Sequence, residues 1–132
     1  MYTGIRVRDL DRSIRFYRQV MGMRVTRKGA MSHGGLWVEL KSAGSHQRLE
    51  LNWYPPESKF HTRYRRGEEL DHLAFRVKDV AGTFRELVAL GAHPEVDPFR
   101  EERYEFAFVS DPDGIWIELI GRRAPDTTEK TR

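Results

Sequence analysis

Ile5-Arg6-Val7-Arg8-Asp9-Leu10 returns 70 residues later (75 − 5) as Phe75-Arg76-Val77-Lys78-Asp79-Val80. The two hexapeptides agree in kind at every position: apolar, basic, apolar, basic, acidic, apolar. Alternation at the start of each predicts a half-buried strand, because successive side chains on a strand point to opposite faces. The aspartate then predicts a helix cap, since its carboxylate can accept from the unpaired N–H groups of a first turn. Leu10, Ile14, Phe16, Tyr17 and Val20 continue the first copy at helical spacing and stop before Gly22. Val80, Phe84, Leu87, Val88 and Leu90 do the same in the second and stop at Gly91.

Three strands are expected after each helix, over residues 23–27, 36–40 and 47–53, and again over 95–100, 104–110 and 115–120. The last strand of each set also repeats: Leu49-Glu50-Leu51 lies over Ile117-Glu118-Leu119, a shift of 68 (118 − 50). Self-similarity at a fixed shift is the mark of a duplicated unit. The expected fold is therefore α+β, with two tandem βαβββ modules forming a curved eight-stranded mixed sheet around a barrel-like concave site. The first module covers 1–53 and the second 70–121. Residues 54–69, rich in Pro, Arg and Glu, read as a linker, and 122–132 as a flexible polar tail.

Composition narrows the function. A chain of 132 residues is one ordinary domain, too short to carry a separate cofactor domain. Hydrophobic residues at 39% suit a packed globule rather than a disordered chain. The net charge is only +3, with Arg and Glu interspersed, so no basic stripe of the kind that tracks phosphates is present. The absence of cysteine excludes disulfides, thiolate ligands and a cysteine nucleophile. No apolar run approaches the roughly 18 residues that span a bilayer, and no signal-peptide pattern opens the chain. The expectation is a cytoplasmic protein that acts on a small molecule, without nucleic acid or membrane.

Pleating decides which side chains meet. With Ile5 and Val7 under the helix, Tyr2, Gly4 and Arg6 face the other way, and His72, Ala74 and Arg76 share that orientation in the second module. Leu49 and Leu51 leave Arg48, Glu50 and Asn52 opposite, while Ile117 and Leu119 leave Trp116, Glu118 and Ile120. Pseudo-symmetry then makes Tyr2 equivalent to His72 and Glu50 to Glu118. Buried carboxylates need a partner. A divalent cation held by Glu50, His72 and Glu118 is one solution, and internal ion pairs with Arg6 and Arg76 are the other.

Residues 5–17 and Met21-Gly22-Met23 resemble the opening of glyoxalase I. Leu49-Glu50-Leu51-Asn52-Trp53, Asp71-His72-Leu73-Ala74-Phe75 and Asp111-Pro112-Asp113-Gly114-Ile115-Trp116-Ile117-Glu118-Leu119 are similar to its other signature segments. The likeness covers nearly the whole chain and is specific to the vicinal oxygen chelate superfamily. It implies a metal-dependent isomerase or lyase of the lactoylglutathione lyase kind, which moves a proton between adjacent carbons of a dicarbonyl-derived hemithioacetal through an enediolate. It implies Glu50, His72 and Glu118 as ligands of one divalent metal, zinc or nickel before iron, cobalt or manganese, with Glu118 and Glu50 as catalytic carboxylates. It further implies Arg6 on the substrate and a homodimer; Tyr2 and Trp116, on the polar faces, are expected to bind the substrate with it, Trp116 as a pocket wall. Two positions depart from the pattern. Tyr2 stands where glyoxalase I has His or Gln, and Tyr54 stands where it has the Asn that binds glutathione. Other branches of the superfamily offer alternatives: an epimerase, a dioxygenase, or a bleomycin-resistance-like protein that sequesters a ligand without catalysis.

Weaker signals have plainer readings. His33-Gly34-Gly35 is an ordinary turn, the Arg63 to Arg66 run a solvated linker, and Asp111 and Asp113 are turn residues. His46, His61 and His93 fall in loops without a partner at ligand spacing.

Overall fold

The computed structural model describes residues 2–32, 34–58, 60–66 and 72–123. His33 lies outside them, as do residues 67–69 of the expected linker, Leu70 and Asp71 of the expected second module, and residues 124–132 of the expected tail, whose first residue, Arg122, instead ends a strand. The first unit runs β1 (Thr3–Arg6), α1 (Leu10–Arg15), β2 (Arg24–Ala30), β3 (Leu36–Lys41) and β4 (Arg48–Trp53). The second runs β5 (His72–Arg76), α2 (Val80–Ala89), β6 (His93–Glu101), β7 (Tyr104–Ser110) and β8 (Trp116–Arg122). Each set forms a four-stranded mixed sheet, ordered β1-β4-β3-β2 and β5-β8-β7-β6. The architecture is α+β with tandem βαβββ units, but the strands divide into two sheets rather than one continuous eight-stranded ladder, and neither closes into a barrel.

The repeat is visible in the hydrogen bonds. β1 pairs parallel with β4, and β5 parallel with β8. Val7 N–H donates to Asn52 O and Val77 N–H to Ile120 O, each at 2.9 Å. The caps are as read: the Asp9 carboxylate accepts from Arg12 N–H at 3.1 Å and that of Asp79 from Gly82 N–H at 3.0 Å. A Cβ at Gly82 would stand 2.3 Å from the Asp79 carboxylate, so a larger residue there would shift the cap; the first unit carries Arg12 at that position without loss of the bond.

One helix differs from expectation. Instead of one α-helix over 10–20, α1 gives way to a π-helical turn over Phe16–Val20. The extra residue in that turn accompanies Tyr17, wholly buried, whose hydroxyl reaches into the second unit. π-turns of this kind are uncommon and accompany such tertiary demands.

Between the helices and sheets lies one core that draws on both units, including Ile5, Phe16, Leu51, Phe84, Ile117 and Leu119. Burial of each such side chain contributes about 1.5–3 kcal/mol. The outer edges of the sheets are blocked: β6 carries Pro94 and Pro98 and irregular register, and β2 carries Lys28 and a bulge between Val25 and Arg27. β1 and β5, the other two edges, carry no proline.

Candidate functional site

On the second sheet, Ala74 stands opposite Glu118 and His72 opposite Trp116. His72 therefore lies two residues before the partner of Glu118, on the same face. Its Nε2 is 3.8 Å from Glu118 Oε2. Phe108, opposite Glu118 on β7, meets the His72 ring edge-on with centroids 6.0 Å apart. Trp116, 39% exposed, packs on Phe108 at 5.5 Å. The Trp116 read from pleating as a pocket wall thus stands beside the donor pair. His72 also borders a cavity of about 620 Å³ that extends past Thr3, Met23, Arg48 and Phe75.

The first sheet repeats the register with other side chains. Gly4 stands opposite Glu50, and Tyr2 lies two residues before Gly4. A Cβ at Gly4 would touch the Tyr2 ring at 3.6 Å and the Asn52 amide at 3.3 Å, which places all three on one face. Tyr2 is 57% exposed and Glu50 half-buried. Arg6 donates to the Thr62 hydroxyl and lines a cavity of about 60 Å³ with Arg8, His61 and Tyr64.

Tyr2, Gly4 and Glu50 are thus the counterparts of His72, Ala74 and Glu118. Among the described residues no three His, Asp or Glu side chains gather as a metal-holding group. One chain therefore presents the expected donors as two separate halves, with Glu50 on one sheet and the His72–Glu118 pair on the other. That pair fits a cation. Two donors about 2.1 Å from a tetrahedral ion stand about 3.4 Å apart, so a 3.8 Å pair needs only a small closing movement. Imidazole and carboxylate donors suit zinc, nickel, iron, cobalt and manganese. Of the groups in the ion-pair alternative, Arg6 donates to the Thr62 hydroxyl and Glu118 lies beside His72.

The sequence reading passed over Glu39. It lies on β3 directly opposite Glu50, on the same face, yet is 6% exposed. The Thr26 hydroxyl donates to it at 2.8 Å, and Arg48 Nη1 stands 3.9 Å away. The signal was present: with Val38 and Leu40 in the core, alternation sends Glu39 to the face of Glu50.

Two minor readings also change. His93 is not in a loop but opens β6, and its Nδ1 is 3.3 Å from Glu95, which accepts from Ser110 Oγ. Asp111 and Asp113 do form the turn, with Gly114 at φ 85°, but they also dock the second unit onto the first. Asp113 accepts from Ser13 Oγ at 3.1 Å and from Arg12 Nη2 at 3.2 Å. The Tyr64 hydroxyl donates to the Asp113 carbonyl at 2.7 Å, and Arg8 stacks over the Tyr64 ring at 4.4 Å, so this stretch of linker is packed rather than loose. Asp111 accepts from Tyr17 OH at 2.9 Å. Burial lifts the Tyr17 phenol well above its ordinary value, helped by the Asp111 charge. Burial also raises the Asp111 carboxyl, against the lowering effect of hydrogen bonds from Ile115 and Tyr17.

Residues 1–119 match the family model of the Glyoxalase/Bleomycin resistance protein/Dioxygenase superfamily. A probable lactoylglutathione lyase of Vibrio cholerae serotype O1 is 35% identical, over 91% of this chain and 88% of that protein. A lactoylglutathione lyase of Haemophilus influenzae is 32% identical, over 94% and 93%. The crystal structure of glyoxalase I from Zea mays matches with a TM-score of 0.72 and 26% identity, over 93% of this chain and 44% of the longer maize chain. Among the described residues no helix is long and apolar enough to cross a membrane.

Proposed function

Because the chain belongs to the glyoxalase, bleomycin resistance protein and dioxygenase superfamily, we propose that it is a metal-dependent lyase of the glyoxalase I type. Its substrate is the hemithioacetal of a small dicarbonyl, and its product the isomeric 2-hydroxy thioester. The observation that carries this reading is the His72–Glu118 pair at 3.8 Å, with Glu50 at the equivalent register of the other sheet. The relatives named lactoylglutathione lyase support it.

His72, Glu118 and Glu50 would hold the ion. When bound, a divalent zinc or nickel ion supplies Lewis acidity at the substrate's two vicinal oxygens. The chain's own groups move the proton. The Glu118 carboxylate takes it from the hemithioacetal carbon as that C–H bond breaks, and the electron pair passes into an enediolate. Glu118 then returns the proton to the neighbouring carbon, so no oxidant or reductant is consumed. Glu50 serves the opposite face of the substrate, while Tyr2, Arg6 and Trp116 contact its body.

The working unit in this reading is a homodimer, in which the first module of one copy supplies Glu50 to the His72–Glu118 pair of the other. Two features support it: one chain separates these donors, and β1 and β5 are both sheet edges.

Elemental analysis beside a hemithioacetal assay tests the proposal. Roughly one transition-metal ion per chain is expected, and its loss in His72→Ala. Glu118→Gln should keep the metal and lose turnover by about 10²-fold or more. Near-normal turnover in that variant would remove Glu118 from its role. A chain that takes up no zinc, nickel, cobalt or manganese would overturn metal dependence and favour a ligand-sequestering protein.

A further inference from the structure

The face that carries His72 and Glu118 does not end with them. Along β8 the same side continues to Ile120 and Arg122, about 7 and 13 Å beyond Glu118 at the usual rise per residue. Along β5 it continues to Arg76, which stands opposite Ile120. There a third cavity, of about 660 Å³, opens among Arg76, Lys78, Tyr104, Ile120 and Arg122. Its charged lining is basic throughout, with no carboxylate. Among the described residues none of these three cations is in an ion pair.

The floor between the two places is apolar. Phe108 stands opposite Glu118 and Phe106 opposite Ile120. Phe106 stacks on Phe99 with centroids 5.6 Å apart and leans on Tyr104 at 6.3 Å. A peptide-like spacer lying there would set its amides against rings that offer them no partner. The first module's counterpart is the much smaller cavity of about 60 Å³ at Arg6 and Arg8, where Arg6 bonds Thr62, Arg8 stacks over Tyr64, and Tyr54 stands in the place of Arg122.

We propose that this cavity binds the anionic end of the ligand, a carboxylate or phosphate joined to the reacting oxygens through an alkyl or aryl spacer. Arg76 and Arg122 grip the oxyanion, and Phe106, Phe108 and Ile120 carry the spacer. For what sits at the His72–Glu118 end the proposal rests on the lyase reading; for the rest it rests on these residues. It implies a thiol or dicarbonyl that is an amphipathic acid, unlike the polar-spaced glutathione.

Calorimetric titration tests this without turnover, using the full chain with 4-phenylbutyrate, 4-phenylbutyl phosphate, 4-phenylbutanol, glutathione and inorganic phosphate. At least one of the two aryl acids should bind about tenfold tighter than the alcohol, and whichever binds tighter identifies the oxyanion. Arg76→Gln with Arg122→Gln should abolish that preference and leave the alcohol unchanged; both side chains are exposed, so the fold should survive. Equal binding of acids and alcohol, acid binding untouched by the double substitution, or tighter binding of glutathione would overturn the proposal. So would inorganic phosphate matching the acids, which would mean a general anion patch. A change of sedimentation coefficient in the double variant would also overturn it, assigning the face to a second copy. A metal-free, inactive chain that still prefers the acids would sink the lyase reading alone.

Discussion

In the first sheet Glu50 faces Glu39, which Thr26 and Arg48 hold; in the second, Glu118 faces Phe108, whose ring meets both His72 and Trp116. The backbone registers are the same, and the surroundings of the two carboxylates are opposite in kind. One is set among charges and hydroxyls, the other among aromatic rings. Duplication fixed where side chains point, because that follows from pleat and pairing. It left open what they are. A carboxylate survives at one position in each copy, and around it one module became polar and the other aromatic.

The turns diverge as well. The 111–114 turn of the second unit is driven into α1 and the π-helical turn, whereas the equivalent 42–45 turn of the first is largely exposed. If that asymmetry is as consequential as the contacts indicate, Asp113→Ala should lower unfolding stability by about 3 kcal/mol, because it strands Ser13 and the guanidinium of Arg12. Ser45→Ala, in the other turn, should cost about 0.5 kcal/mol or less. Urea titrations of the two variants decide this, and equal losses would mean that the units dock symmetrically.

A second contrast is smaller. Gly121 aligns with Trp53, yet a Cβ at 121 would lie 2.5 Å from the Val77 carbonyl. Gly121→Ala should therefore cost about 2 kcal/mol. Gly4→Ala, which gives β1 the residue that β5 already carries at Ala74, should cost well under about 1 kcal/mol. Thermal melts of the pair would show one clear shift and one slight shift; two large shifts would break the equivalence of β1 and β5.

The smallest effect concerns pH. Burial raises the Asp111 carboxyl above 3.8 in the folded chain. A raised pKa means that the protonated form favours the fold, so this contribution is full below 3.8 and is lost as pH rises through the folded value. Asp111→Asn can still accept from Ile115 and should flatten the pH dependence over that range. Stability measured from pH 4 to 7 checks the sign. A steeper slope in the variant would reverse it.

These contrasts also mark what the sequence could tell. Strands and caps were legible because their causes are local: alternation at Ile5 and Val7, a carboxylate at Asp9, a glycine after each helix. Glu39 was equally legible, since it alternates with Val38 and Leu40, and was passed over for want of a motif. The π-helical turn was not legible. Phe16, Tyr17 and Val20 suit an α-helix as well, and what goes with the extra residue is a contact with Asp111, 94 residues away. His93 falls in a loop if the strand opens at Glu95, whereas β6 opens two residues earlier; as an edge strand it tolerates Pro94. For the candidate site, pleating gave the faces of Glu50, His72 and Glu118, but strand periodicity holds no information about which sheet, or which copy, comes to meet which.

The prolines of β6 and the bulge of β2 have a consequence for self-association. A sheet grows only where a strand offers unpaired amides, and here the outer edges are spoiled for that purpose while β1 and β5 are left open. A two-fold pair of chains that joins β1 to β5 at both places would use every open edge at once and present only spoiled ones. A chain joined in that way would add one copy and then stop, which separates a finite pair from a fibre.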